Sequence, residues 1–325
     1  MKNKIHIVFL SVSLTICVNV VFAQRDSVAK AIVLAQDQNI AAEVRVKKAL
    51  EIIDNSITHA QSVKDPFAWY VRGYIYKEWY KTFEPQNKKS KTRLEAMVFL
   101  KKALELDTSH GKSFSVTSNF HYSGQIATVT LDFDPKTIRQ ILKYLGATFY
   151  NDAGSLLDPD NYPAAIENYE KFKECMLIAE PNYNLKAREI EFKNALATVY
   201  EKIFRSDIKM QSQFFGMTEN LYRQVLALDT NNWGANYNLA MLYYNYGVDL
   251  INNMNVTDDI VVVDNITDES TALFKKALPF ALKANALKPD RREVLVCLMG
   301  IYFSLYEWDK SDEYKAKIAL LDKEK

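Results

Sequence analysis

The chain is poor in the residues that make tight turns, covalent crosslinks and metal sites. Nine glycines and eight prolines among 325 residues leave few places for sharp reversals, so helices should dominate. Three cysteines cannot staple a chain of this length, and the two beyond residue 23, Cys175 and Cys297, read as buried free thiols. His59, His110 and His121 stand apart from one another and from any cysteine pair, so no metal ligand set is visible. Also absent are a Gly-x-Ser-x-Gly elbow, a phosphate-cradling glycine-rich loop and a His-Glu-x-x-His helix. Without such a constellation no catalytic residue, cofactor or metal is expected, and the chain reads as a non-enzyme.

An excess of charge of one sign is missing too. With 41 basic against 40 acidic residues the formal charge is +1. The one basic run, Lys88-Lys89-Ser90-Lys91-Thr92-Arg93, reads as a solvated loop entering a helix. Nucleic acid is therefore not an expected partner, because releasing its counterions takes a basic patch. Asp158-Pro159-Asp160 and Asp258-Asp259 lack the spacing of a calcium loop and read as solvated turns.

A long apolar run occurs only at the start. Lys2 and Lys4 precede Ile5 to Phe22, and Val21-Phe22-Ala23 suits a cleavage site, so residues 1–23 are expected to be a signal peptide. A retained anchor is the less favoured reading, because the run is short and polar for a span of about 20 residues. A lipid anchor at Cys17 is disfavoured by bulky Ile16 before it. Losing the two leader lysines would turn the charge from +1 to −1 and leave no expected transmembrane segment.

What the chain does have is repetition. A small residue sits three positions before an aromatic in Gly73 and Tyr76, Gly146 and Phe149, Ala197 and Tyr200, and Ala240 and Tyr243. A fifth copy keeps Leu298 and Tyr302 with Met299 at the small position. Downstream of the first four runs a second stripe at steps of four and three: Ala96, Leu100, Ala103; Ala165, Tyr169, Phe172; Thr218, Tyr222, Val225; Ala277, Ala281, Ala284. These steps place each stripe on one helical face. Small residues let the two helices of a pair approach closely, while the aromatics are expected to fill the gap toward the next pair.

These segments resemble tetratricopeptide repeats. Trp69-x-x-Arg72-Gly73-x-x-Tyr76 is similar to the family's opening, with Arg72 in place of Leu, and Ala277-x-x-x-Ala281-x-x-Ala284 followed by Pro289 is similar to its closing half. The resemblance spans most of 40–325, with a weak half-copy at Ala42–Asp54. It implies an all-α solenoid of about five to six helix pairs, since one pair alone cannot bury its apolar face. The expected organisation is a signal peptide at 1–23 and a single array over 24–325.

Departures from the family's spacing mark where this chain is particular. From the small position to the second-helix stripe the chain is longer by 11, 7, 9 and 25 residues than a repeat of about 34 residues requires. The first three fit as extra helical turns. The last, 248–271, mixes Asn252-Asn253-Met254-Asn255 with Ile260-Val261-Val262-Val263 and reads as an irregular loop on one rim. A second interruption, 111–136, alternates Val129, Leu131 and Phe133 with Thr128 and Thr130 around Ser123-Gly124, which predicts a small β-hairpin packed on the helices. Pro279 falls inside a second helix and should kink it.

In the resembled family, partner peptides lie in a groove lined by first helices. Carried through the motif register, groove positions are Tyr70, Tyr74, Lys77, Lys143, Tyr150, Tyr237, Met241, Tyr244 and Phe303. The resemblance implies a non-catalytic scaffold for protein partners, exported to the periplasm or outer envelope of a bacterium or secreted. A glycan-binding component using the aromatic groove is the alternative.

Overall fold

A computed structural model describes residues 25–255 and 259–323, so the expected signal peptide lies outside the described residues. The described chain is all-α apart from one two-stranded antiparallel sheet, and its helices pack in adjacent pairs. Helix α1 covers residues 25–36, followed by α2 (Ala42–Ser56), α3 (Pro66–Phe83) and α4 (Lys91–Glu105). Strands β1 (Phe114–Tyr122) and β2 (Gln125–Phe133) precede α5 (Pro135–Ser155), α6 (Tyr162–Ala179), α7 (Lys186–Ser206) and α8 (Gln213–Leu228). The chain ends with α9 (Trp233–Asn252), α10 (Ile260–Leu287), α11 (Arg292–Ser304) and α12 (Trp308–Lys323). It divides into two compact units, one containing the described residues up to Ser155 together with Ala164–Tyr183, the other Leu156–Pro163 and the remainder. The half-copy at 42–54 is a complete helix, α2, which packs against α3.

Local signals set the helix boundaries. Asp65 caps α3 by accepting from Phe67 N at 3.0 Å, with Pro66 at the first helical position. Ser90 caps α4 and Asn232 caps α9 through acceptors at 3.0 and 2.9 Å. Within pairs, the small positions permit close approach: a Cβ on Gly73 would lie 2.6 Å from Leu100 Cγ. The stripe Ala277, Ala281, Ala284 is fully buried in the second unit with Leu239, Ala240 and Leu298. Cys175 and Cys297 are free and buried, and burial pushes both thiols up to about 12.

The aromatics face the other way from the expectation. In three copies the ring or hydroxyl meets a charged residue on the second helix of the preceding pair. Tyr76 Oη donates to Asp54 on α2 at 2.9 Å, Phe149 lies 4.1 Å beneath the Arg93 guanidinium from α4, and Tyr243 Oη accepts from Arg223 on α8 at 3.0 Å. Arg72 stacks 4.1 Å from Phe99 and pairs with the same Asp54 at 2.9 Å. A leucine there would fill space without binding the carboxylate.

Two further expectations are corrected. The 248–271 stretch is mostly helix: α9 runs on to Asn252, and α10 begins at Ile260 with Asp259 accepting from Val261 N at 2.8 Å. Asp259 is thus an N-cap, and the β-branched run after it is the first turn of α10; residues 256–258 are outside the described set. Arg93, read as the end of a solvated basic run, is 1% exposed. Its Nη1 donates to Asp152 at 2.6 Å and to Tyr80 at 3.3 Å, and its Nη2 to Asn168 at 3.0 Å and the Lys88 carbonyl at 3.2 Å. One guanidinium thereby joins α3, α4, α5 and α6 within the first unit. Arg93→Ala, which strands Asp152 and opens a cavity, is expected to destabilise the first unit by about 3 kcal/mol or more; urea unfolding followed by circular dichroism measures it, and an unchanged midpoint would contradict the assignment.

Candidate functional site

The hairpin decides what the first helices of the first unit expose. Ser123 and Gly124 both take positive φ, 50° and 83°, which is the two-residue turn that matches strand twist. The strands pair without a bulge from Phe114 opposite Phe133 to Tyr122 opposite Gln125. Side chains of β1 alternate, burying Val116, Ser118 and Phe120. At the base, Phe133 stacks on Phe114 with centroids 4.7 Å apart and meets Tyr70 of α3 edge-on at 6.2 Å. Near the tip, Tyr122 Oη donates to Asp37 Oδ2 at 2.6 Å, and midway Asn119 N donates to Asp26 Oδ1 at 3.0 Å. The hairpin therefore lies across α1 and the start of α3.

The nine groove positions differ in what covers them. In the first unit Tyr70 is buried beneath Phe133, and burial pushes its hydroxyl up to about 12. Tyr74 is half-buried and carries the Lys77 ammonium 4.1 Å from its ring, while Lys77 itself is buried and pairs with Glu78. Tyr150 is half-buried against Phe172 at 4.8 Å, and exposed Lys143 bonds Glu180 at 2.7 Å. In the second unit Tyr237 is stacked on Trp233 at 5.2 Å and 6°, and Met241 is half-buried on that core. Tyr244 packs so closely over Gly300 that a Cβ there would meet its hydroxyl at 2.4 Å. Phe303 is open, 60% exposed.

Residues outside the motif register, together with Lys77 and Phe303 from within it, supply further accessible chemistry. In the first unit a cleft of about 280 Å³ is lined by Lys77 and Lys81 of α3 and by Thr137, Gln140, Ile141 and Tyr144 of α5. Glu78 serves both Lys77 and Lys81, the latter at 3.7 Å, so two ammonium groups share one carboxylate. Burial lowers the Lys77 pKa, a cost that a second carboxylate in the cleft would offset. Thr137, Gln140, Ile141 and Tyr144 follow the i, i+3, i+4, i+7 rule for one helical face; Thr137 lies in the first turn of α5, upstream of the repeat pattern, which is why motif register overlooked it. In the second unit Trp308 sits edge-on to Phe303 at 4.9 Å and to Tyr306 at 5.7 Å. Tyr306 is 69% exposed and held at φ 60°. Beside it Glu307, Asp309 and Lys310 complete a hollow of about 300 Å³.

Among the described residues no group of three or more His, Cys, Asp or Glu could hold a metal ion, and no described helix is long and apolar enough to cross a membrane. The chain is similar to the S. pombe nuclear import adaptor Nro1, at 12% sequence identity and a TM-score of 0.32 over 93% of this chain and 94% of that chain. No family model matches the chain, and no curated protein matches it.

The Tyr122 to Asp37 bond makes the hairpin tip sensitive to acid. That hydrogen bond, chiefly, holds the Asp37 carboxyl below its usual range, so its contribution is present at neutral pH and is lost as pH falls through the lowered value. Burial, then Asp37, pushes the Tyr122 hydroxyl up to about 12, well clear of this window. Tyr122→Phe is expected to speed amide exchange of 114–133 several-fold at neutral pH and to weaken the acid dependence of its protection; hydrogen exchange read by mass spectrometry checks both.

Proposed function

We propose that the chain is an exported, non-catalytic interaction protein of the tetratricopeptide type, and that the α3/α5 cleft receives an acidic segment of a protein partner. The carrying observation is that Lys77 and Lys81 share Glu78 at an open cleft, which leaves one positive charge uncompensated there. Tyr144, 41% exposed, and Ile141 provide apolar area beside that charge, and Thr137 and Gln140 provide donors and acceptors. An extended segment carrying a carboxylate next to an apolar side chain matches this lining. Export rests on Lys2, Lys4 and the apolar run ending at Val21-Phe22-Ala23.

Two measurements test the reading. A Glu/Leu-alternating peptide should bind the full chain with affinity that falls as salt rises, while a Lys/Leu counterpart should not. Lys81→Glu should weaken the acidic peptide about tenfold or more, the scale of a reversed charge at a partly buried contact; equal binding of both peptides would refute the cleft. Separately, mass spectrometry of protein recovered from a bacterial envelope should find Gln24 at the amino terminus, and an intact Met1 would refute cleavage.

A glycan-binding role is supported by one observation of its own, the exposed Phe303, Tyr306 and Trp308 beside Glu307, Asp309 and Lys310. Aromatic faces flanked by charges of both signs suit a neutral hydroxylated ring. Trp308→Ala should then abolish retention on polysaccharide affinity gels, whereas absence of retention by the wild type refutes this role.

A further inference from the structure

One edge of the hairpin is occupied and the other is open. Asn119 sends its N–H away from β2, to Asp26, so the pair Asn119 and Thr128 is a non-hydrogen-bonded one. Alternation then fixes the others: Ser115 with Asp132, Thr117 with Thr130 and His121 with Ile126 are of the same kind. Side-chain bonds across these close pairs agree, at 2.7 Å for Ser115 and Asp132, 3.1 Å for Thr117 and Thr130, and 2.6 Å for Thr128 and Asn119. The N–H and C=O groups of Ile126, Thr128, Thr130 and Asp132 consequently point out from the far edge of β2. Among the described residues, none of those four amides has a hydrogen-bond partner beyond the hairpin.

That edge carries none of the usual protection. Exposed strand edges are blunted by short length, bulges, prolines or lysines. Here β2 is nine residues long, pairs without a bulge, and has neither proline nor lysine; its one charge is Asp132. The face toward the helices is also unfinished on this side. Val116, Ser118 and Phe120 of β1 are 5%, 2% and 7% exposed, but Ala127, Val129 and Leu131 of β2 are only half-buried. The outer face carries the polar row Thr128, Thr130 and Asp132.

We infer that the outer edge of β2 accepts a third strand from a partner protein: a proline-free extended segment whose apolar residues continue the row Ala127, Val129, Leu131 and whose alternate residues are Ser, Thr, Asn or Lys facing Thr128, Thr130 and Asp132. Main-chain bonds supply the affinity and the two rows fix the register. This rests on the reading of the chain as an interaction protein, but it names a different surface from the α3/α5 cleft.

The test is a displayed library of random 12-residue peptides panned on the full chain. Enriched peptides should lack proline and alternate apolar with polar residues. Their affinity should fall at least tenfold for Thr128→Pro or Thr130→Pro, each of which removes an outward N–H without breaking a main-chain bond between β1 and β2, and should persist for Thr128→Val, which removes the same hydroxyl as Thr128→Pro, and for Lys81→Glu. Should the proline variants unfold, amide exchange in the wild-type complex replaces them, with protection gained at 126, 128, 130 and 132 but not at 127, 129 and 131. Peptides that bind the proline variants equally well, or that protect no such alternation, overturn the strand while leaving an interaction protein standing. Peptides lost on Lys81→Glu alone overturn it in favour of the cleft. A wild-type dimer dispersed by Thr130→Pro overturns it in favour of a second copy, and failure to enrich any peptide overturns both it and the reading beneath it.

Discussion

Between consecutive helix pairs the first unit depends on a cation buried against aromatic rings. Arg93 leaves the second helix of one pair, lies on Phe149 of the next, and binds Tyr80, Asp152, Asn168 and a backbone carbonyl. A guanidinium fits because it stacks with its face while donating with its rim. Desolvating it is tolerable only with those donors satisfied, so the positions of α3, α5 and α6 around α4 are specified together. Asp54 with Arg72 and Tyr76, and Arg223 with Tyr243, repeat the principle with other chemistry. Regular stripes of alanine set the spacing within a pair, whereas polar contacts onto aromatics link one pair to the next.

The hairpin works against openness in one place and creates it in another. By placing Phe133 over Tyr70 and tying its tip to Asp37, it removes α1 and the start of α3 from any groove. Accessible features of the first unit are accordingly displaced to the α3/α5 cleft and to the free side of β2. Lysines in the cleft and a polar, threonine-rich strand make different demands on a partner, one of charge and one of extended backbone.

Much of this was legible in the residues alone. The small and aromatic positions, the alanine stripes and the hairpin around Ser123-Gly124 follow from periods of 3.6 and 2, which survive any tertiary context. Other features have no periodic signature. The 248–271 stretch looks irregular because Asp259 and the β-branched run are ambiguous between turn, strand and a capped helix start; only the packing of Ser270, Leu273 and Phe274 resolves it. The direction of the aromatics depends on which neighbour holds a charge, and Arg93 reads as surface until Asp152 and Asn168, 59 and 75 positions away, are brought to it. Groove positions inferred from register ignore what the chain itself lays over them, hence buried Tyr70 and overlooked Tyr144.

Burial of Cys175 and Cys297 bears on the compartments this chain can pass through. Oxidants and mixed disulfides react with the thiolate, and burial within packed helices pushes the Cys175 and Cys297 thiols up to about 12. Among the described residues, neither cysteine thus presents a thiolate at physiological pH. An oxidising milieu therefore acts on these two thiols only during the interval before their helices close.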